Sequence, residues 1–299
     1  MKKMIYIKNM FSVVVATVLC ITAFTILGFE SPTTANADSL RTYIRHDYTN
    51  NNTPDYEYNL SVSSSVNTYS LSPATIFPPN EMVRDYDESV VRIEGDGVGG
   101  TGFIVGEHLI ATAAHCVYFN GFIDDLTISI VNSNNVVIDT MTPKYIHLNK
   151  DYTYSIAAVT DYALIYVEED LSDYGMFKMG LATDRYILRQ EEVVASGFPS
   201  DYPDGYNGVE WGLRFKSLGY IYGSYSTTEL IRHDADIASG DSGGPLYVEE
   251  GVTINGTTTE YKTVIGINIA DNLTYNTSVR VTPNILKFVY DNPNITPSN

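Results

Sequence analysis

The segment Gly240-Asp241-Ser242-Gly243-Gly244-Pro245 constrains this chain more than any other stretch. Small or turn-forming residues surround one serine, and such a backbone can bend sharply enough to present a side chain at the apex of a turn. A serine hydroxyl alone is a weak nucleophile. It needs a base to take its proton and donors to hold the oxyanion that then forms. Glycine lacks the Cβ that would keep backbone N–H groups apart, so those of Gly240 and Ser242 are the candidate donors. The same letters also suit an ordinary glycine-rich turn with an exposed serine. A histidine and an aspartate elsewhere decide between the two.

Both are present. Thr112-Ala113-Ala114-His115-Cys116 follows an apolar run, and Asp161-Tyr162-Ala163-Leu164-Ile165 puts an acid at the head of a short apolar strand. The order His, Asp, Ser is one of three in which unrelated folds assemble one catalytic triad. With these three segments in this order, the chain resembles the chymotrypsin-like serine peptidases. The resemblance implies Ser242 as nucleophile, His115 as base, Asp161 as the group orienting the imidazole, and Gly240 and Ser242 as the oxyanion hole. It also implies an all-β fold of two antiparallel six-stranded β-barrels with a C-terminal α-helix, and a secreted endopeptidase working through an acyl-enzyme. A catalytically silent secreted binding protein on the same fold is the rival, and the complete residue set stands against it.

The chain has 299 residues, 44% of them hydrophobic, enough for a sizeable core. Eighteen basic against 36 acidic side chains give a formal net charge of −18. That balance argues against nucleic acid or an anionic membrane as partner and for a soluble protein. Protein or peptide substrates and a monomeric state are the expectation, with membrane contact only during export. No metal-ligand cluster or phosphate loop is visible, so no cofactor is expected. Of the two cysteines, Cys20 falls in the leader and Cys116 follows His115. Many family members bridge the latter position to the preceding strand, but the matching residue here is Gly100. Cys116 is then read as a small buried filler.

Lys2, Lys3 and Lys8 precede an uncharged apolar run from Met10 to Phe29, followed by Ala35-Asn36-Ala37. This is the pattern of a signal peptide cut after Ala37, although the run is long enough to anchor in a bilayer. Val18-Leu19 before Cys20 does not suit lipidation. Residues 38–74 are rich in Asn, Ser, Thr, Tyr and Asp without sustained period, which reads as extended or disordered, a linker or a propeptide. A cut near Ala74 would then release the active form. Short alternating segments begin at Ser89 and resume at Glu192, with a crossover over Asp170 to Arg185. The expected division is an N-terminal barrel over 75–180 and a C-terminal barrel over 181–299. Thr282-Pro283 before Ile285, Leu286, Phe288 and Val289 predicts a capped terminal helix. His46, His108, His147 and His233 are each isolated beside loops and are expected at the surface.

Within the family the chain looks most like the V8-like, or glutamyl endopeptidase, branch over residues 75 to 292. The likeness rests on Thr75-Ile76-Phe77-Pro78-Pro79-Asn80, Thr101-Gly102-Phe103-Ile104-Val105-Gly106, Ser196-Gly197-Phe198-Pro199, Val264-Ile265-Gly266-Ile267 and Val279-Arg280-Val281-Thr282. In that branch a histidine after the Ile-Gly-Ile strand helps bind the substrate glutamate, and Asn268 stands there instead. Asp236, six residues before Ser242, matches the acid that selects Arg or Lys in trypsin-like enzymes, or is a structural carboxylate bonded to turn amides. Asn268 and Asp236 are therefore the candidate substrate-binding residues, and cleavage after basic residues is the alternative specificity. Asp241 matches an aspartate that pairs with a freed N-terminus in animal relatives, but no Ile-Val-Gly-Gly start is visible.

Overall fold

Alternation of apolar and polar residues along short runs builds strands with one face inward. The run Val90-Val91-Arg92-Ile93 buries its three apolar residues completely. The computed structural model describes residues 39–50, 53–62, 82–155, 157–200, 212–223, 226–227, 229–254, 257–271, 275–292 and 295. The expected leader and Thr75 to Asn80 lie outside them.

In chain order the strands are β1 (Ser39–Asp47), β2 (Tyr56–Val62), β3 (Val83–Arg84), β4 (Val90–Gly95), β5 (Val98–Gly106), β6 (Leu109–Thr112), β7 (Thr127–Val131), β8 (Val137–Met141) and β9 (Tyr145–Asn149). They continue as β10 (Ala163–Tyr166), β11 (Lys178–Met179), β12 (Glu192–Gly197), β13 (Phe215–Tyr220), β14 (Leu230–His233), β15 (Pro245–Ile254), β16 (Thr257–Ala270) and β17 (Asn276–Arg280). One sheet runs β2-β1-β9-β10-β6-β5-β4-β7-β8 and the other β14-β17-β16-β15-β12-β13-β3, with β11 added beside β16. All pairings are antiparallel except that of β11 with β16. The fold is all-β, with strand counts above the six per unit expected. Two of the extra strands in the first sheet come from its N-terminal hairpin.

That hairpin corrects the reading of residues 38–74 as too polar to bury apolar surface. Strands β1 and β2 pair with each other, and β1 pairs with β9 through Tyr43 opposite Asn149 and Ile44 opposite Leu148. Tyr43, Ile44, Tyr58 and Leu60 are all buried. Side chains of this size contribute about 1.5–3 kcal/mol each when buried, so the hairpin is coupled to the fold and is not a tether. The period was present at Tyr56, Tyr58 and Leu60, but tyrosine counted as polar hid it.

Each sheet has its own cluster of buried side chains, and a third joins the two sheets. This joint cluster holds Tyr43, Tyr58, Ala113, Cys116, Tyr162, Val264 and Phe288. The helix Pro283–Tyr290 closes it, with the Thr282 side chain accepting from the Ile285 N–H and Pro283 in its first turn. Between the sheets Arg214 is fully buried, and its guanidinium donates to the carbonyls of Val90 and Val131, each at 3.1 Å.

Candidate active site

His115 sits in a single 3-10 turn, Ala114–Cys116, that follows β6 directly. Asp161 ends another such turn, Ala158–Thr160, immediately before β10. Strands β6 and β10 are paired, Ala163 opposite Thr112, so two residues 46 apart in sequence meet at one sheet end. Both carboxylate oxygens face His115. Asp161 Oδ1 accepts the His115 backbone N–H at 2.9 Å, and Oδ2 lies 2.7 Å from the ring Nδ1. Desolvation disfavours the imidazolium, but the Asp161 carboxylate and Cys116 together outweigh it and hold the His115 pKa well above the usual 6.5. The ring retains an exposed edge, its side chain being 25% accessible against 9% for Asp161.

The Gly240–Pro245 loop arrives from the other sheet. Gly240 and Gly243 have φ of +99° and +85°, conformations open to glycine at little cost. A Cβ at Gly243 would collide with the Thr101 carbonyl and Thr112 Oγ1. Strand β5 braces the loop from below: Thr101 N–H donates to the Ser242 carbonyl at 2.8 Å, and Thr101 Oγ1 donates to the Gly240 carbonyl at 2.7 Å. The same Oγ1 accepts the Phe198 N–H at 3.0 Å. The Cys116 thiol donates to the Ser242 carbonyl at 3.3 Å. Cys116, next to His115, and Thr101 on β5 thus both hold the Ser242 carbonyl.

Among the described residues the Ser242 hydroxyl makes no hydrogen bond to His115, an interaction that often tightens only once substrate is bound. Nor do the Gly240 and Ser242 N–H groups have a protein acceptor among them, which leaves both free for an oxyanion.

Cys116 is buried and free. A Cβ at Gly100 would lie 2.7 Å from its sulfur, so a side chain there and this thiol rotamer exclude each other. Thr101 and Thr112 were inside recognised segments, yet their bracing role was not legible. A buried threonine reads as a β-branched strand former until its hydroxyl's partner is known.

The two candidate specificity residues part company. Asn268 touches the nucleophile loop: its carbonyl accepts from Gly243 N–H at 2.7 Å, and its N–H donates to the Gly244 carbonyl at 2.9 Å. Its side-chain Oδ1 accepts from Ser278 Oγ at 2.8 Å, and Ser278 Oγ lies 3.0 Å from His233 Nε2. Asp236 instead lies beside Met82, Phe215, Lys216 and Asp241 around a gap too narrow for a water molecule. Burial, with Asp234 nearby, pushes its carboxyl up to about 6. Asp241 takes the structural part considered for Asp236. Its Oδ2 accepts the Ala238 N–H at 2.8 Å, and burial pushes it up to about 8.

His147 and His233 are not at the surface as expected. Both are completely buried, on β9 and β14, and desolvation lowers each to about 3. Each has a hydroxyl partner, Tyr58 and Ser278 respectively. His46 stacks on Phe122 at 3.9 Å and bonds Asp55, while His108 bonds the Glu169 carbonyl. Among the described residues no group of three or more His, Cys, Asp or Glu side chains is placed to hold a metal ion.

The family model described as Trypsin-like peptidase domain matches residues 100–254. No curated protein matches the chain at a significant level. Among solved structures, a Glu endopeptidase in complex with MPD superposes with a TM-score of 0.59 at 17% identity, covering 72% of this chain and 97% of that one. At that identity the likeness speaks for the fold.

Proposed function

The chain belongs to the trypsin-like peptidase domain family, and from that premise we propose that it is a secreted serine endopeptidase with His115, Asp161 and Ser242 as its triad. The observation that carries this reading is the double hydrogen bond from His115 to Asp161, facing a glycine loop braced on Cys116 and Thr101. Ser242 Oγ attacks the scissile carbonyl carbon as His115 Nε2 takes its proton, and the oxyanion lodges between the N–H groups of Gly240 and Ser242. Collapse breaks the C–N bond, and His115 returns its proton to the departing amine. Water then repeats the sequence on the acyl-enzyme. Secretion rests on the leader pattern.

For the residue before the scissile bond, the surroundings of Asn268 favour weak recognition of glutamate. Burial holds His233 neutral; because the Ser278 hydroxyl donates its proton to Asn268 Oδ1, His233 Nε2 beside it takes the donor tautomer. Asn268 is fully buried, its amide nitrogen donates to the Pro245 carbonyl at 3.4 Å, and the chain of bonds behind it brings no positive charge. A buried substrate carboxylate without such a charge is costly to bind. An organophosphonate probe tests the mechanism, labelling the wild type and not Ser242→Ala. A cleavage-site profile on denatured proteins tests the specificity. Absence of labelling and cleavage by the processed wild type would support the silent binding protein instead.

A further inference from the structure

The hairpin β1–β2 reaches the residue beside the catalytic acid. The Tyr43 hydroxyl lies 3.0 Å from the Tyr162 hydroxyl, both side chains buried, and Tyr162 directly follows Asp161. Tyr43 stacks on Phe288 of the terminal helix at 4.4 Å, and Phe288 meets Tyr162 edge-on at 5.5 Å. Tyr58 on β2 accepts from Asn292 Nδ2 at 2.8 Å, just past the same helix, and Arg41 on β1 pairs with Glu229 beside β14 at 2.9 Å. The hairpin therefore ties β9, the terminal helix and the second sheet together around Tyr162. Asp161, at φ −81° and ψ 64°, is the middle of a tight turn in which the Tyr162 N–H donates to the Thr160 carbonyl at 2.9 Å, so Tyr162 anchors the backbone directly beside the Asp161 carboxylate.

Resting on the peptidase reading, we propose that Tyr43 is a positioning residue which acts through Tyr162 on Asp161, and that residues 39–62 remain in the active enzyme. A segment discarded on activation would take with it one hydroxyl of a buried pair and the strand that covers the edge of β9. A cut made between the hairpin and β3 would leave a two-chain enzyme, held by the contacts just described.

The test compares Tyr43→Phe and Tyr162→Phe with Leu60→Ala, a change that weakens hairpin packing without touching the hydroxyl pair. The primary readout is the His115 imidazole titration followed by NMR, which needs no turnover, alongside kcat and KM. Both Phe variants should move the His115 titration toward 6.5 and lower kcat about threefold to tenfold with KM unchanged, a misalignment effect. The double variant should lose no more than either single one. Leu60→Ala should lower the unfolding temperature and leave titration and kcat alone. Mass spectrometry of the phosphonate-labelled species should recover residues 39–62. A titration unchanged in Tyr43→Phe, or a labelled and fully active species lacking residues 39–62, overturns the proposal. If the peptidase reading alone is wrong, the wild type neither labels nor cleaves, while the titration shift in Tyr43→Phe still appears.

Discussion

Asp161 binds His115 twice, holding the backbone N–H with Oδ1 at 2.9 Å and the ring Nδ1 with Oδ2 at 2.7 Å. The first bond fixes where the histidine stands and the second fixes which ring nitrogen carries the proton. With the proton on Nδ1, Nε2 is the nitrogen able to accept one from the proposed nucleophile.

Asp161→Asn separates these two functions. The amide oxygen can still accept the backbone N–H, so the fold should survive, with an unfolding temperature within a few degrees of the wild type. The amide nitrogen would face Nδ1 and favour the wrong tautomer, and kcat should fall about 10⁴-fold. Ser242→Ala, which removes the proposed nucleophile, should cost on the order of a millionfold. Substantial turnover in either purified variant would remove these residues from the reaction.

The raised pKa of His115 sets the acid limb of activity. The base works only when neutral, so kcat/KM should rise with pH through a value above 6.5 and not at or below it. The linkage to stability has the opposite direction. Because the folded pKa lies above the unfolded one, the His115–Asp161 pair contributes its full stabilisation below about 6.5, and loses it as pH rises through the folded value. Rate profiles and unfolding midpoints over pH 5 to 10 check both signs.

Thr101 braces the Gly240–Pro245 loop. Thr101→Val keeps the shape but leaves the Gly240 carbonyl and Phe198 N–H, both bonded to its hydroxyl, without that partner. Each buried group so orphaned costs about 1–3 kcal/mol. Stability should fall by that order and kcat with it, since Gly240 is a proposed oxyanion donor. Gly243→Ala should be worse, because positive φ and collision with the Thr101 carbonyl coincide there. Thermal unfolding and phosphonate labelling rates distinguish the loss of fold from the loss of donor geometry.

Asp236 should affect stability and not the choice of substrate. Its carboxyl is raised to about 6, so ionising it opposes folding; stability associated with it is present below the unfolded value of 3.8 and lost as pH rises toward 6. Asp236→Asn should therefore raise the unfolding temperature at pH 7 to 8 and change little at pH 4. Its influence on kcat/KM should be the same for basic, acidic and uncharged residues before the scissile bond. A selective loss of cleavage after Arg or Lys would show that the carboxylate contacts substrate.

The sequence by itself put forward the proposed chemistry. His115, Asp161 and Ser242 stand out because each sits in a short segment whose neighbours have local reasons to be there, such as glycines for positive φ and an apolar strand after the acid. The terminal helix was readable for the same cause, since Thr282 and Pro283 act within one turn of the backbone they cap. What only the tertiary structure decided depends on partners far away in sequence. The Thr101 hydroxyl gains its role from Gly240, 139 residues on, and Tyr43 meets Tyr162 across 119 residues. His147 and His233 look like surface residues until strands from elsewhere cover them. Asp236 and Asp241 are chemically alike, and only the fold gives the turn amide to Asp241 and a place beside the same narrow gap to both. A local pattern specifies the conformation a residue prefers, but hydrogen-bond partners and desolvation are set by whatever the closed sheets bring alongside, and that is a property of the whole chain.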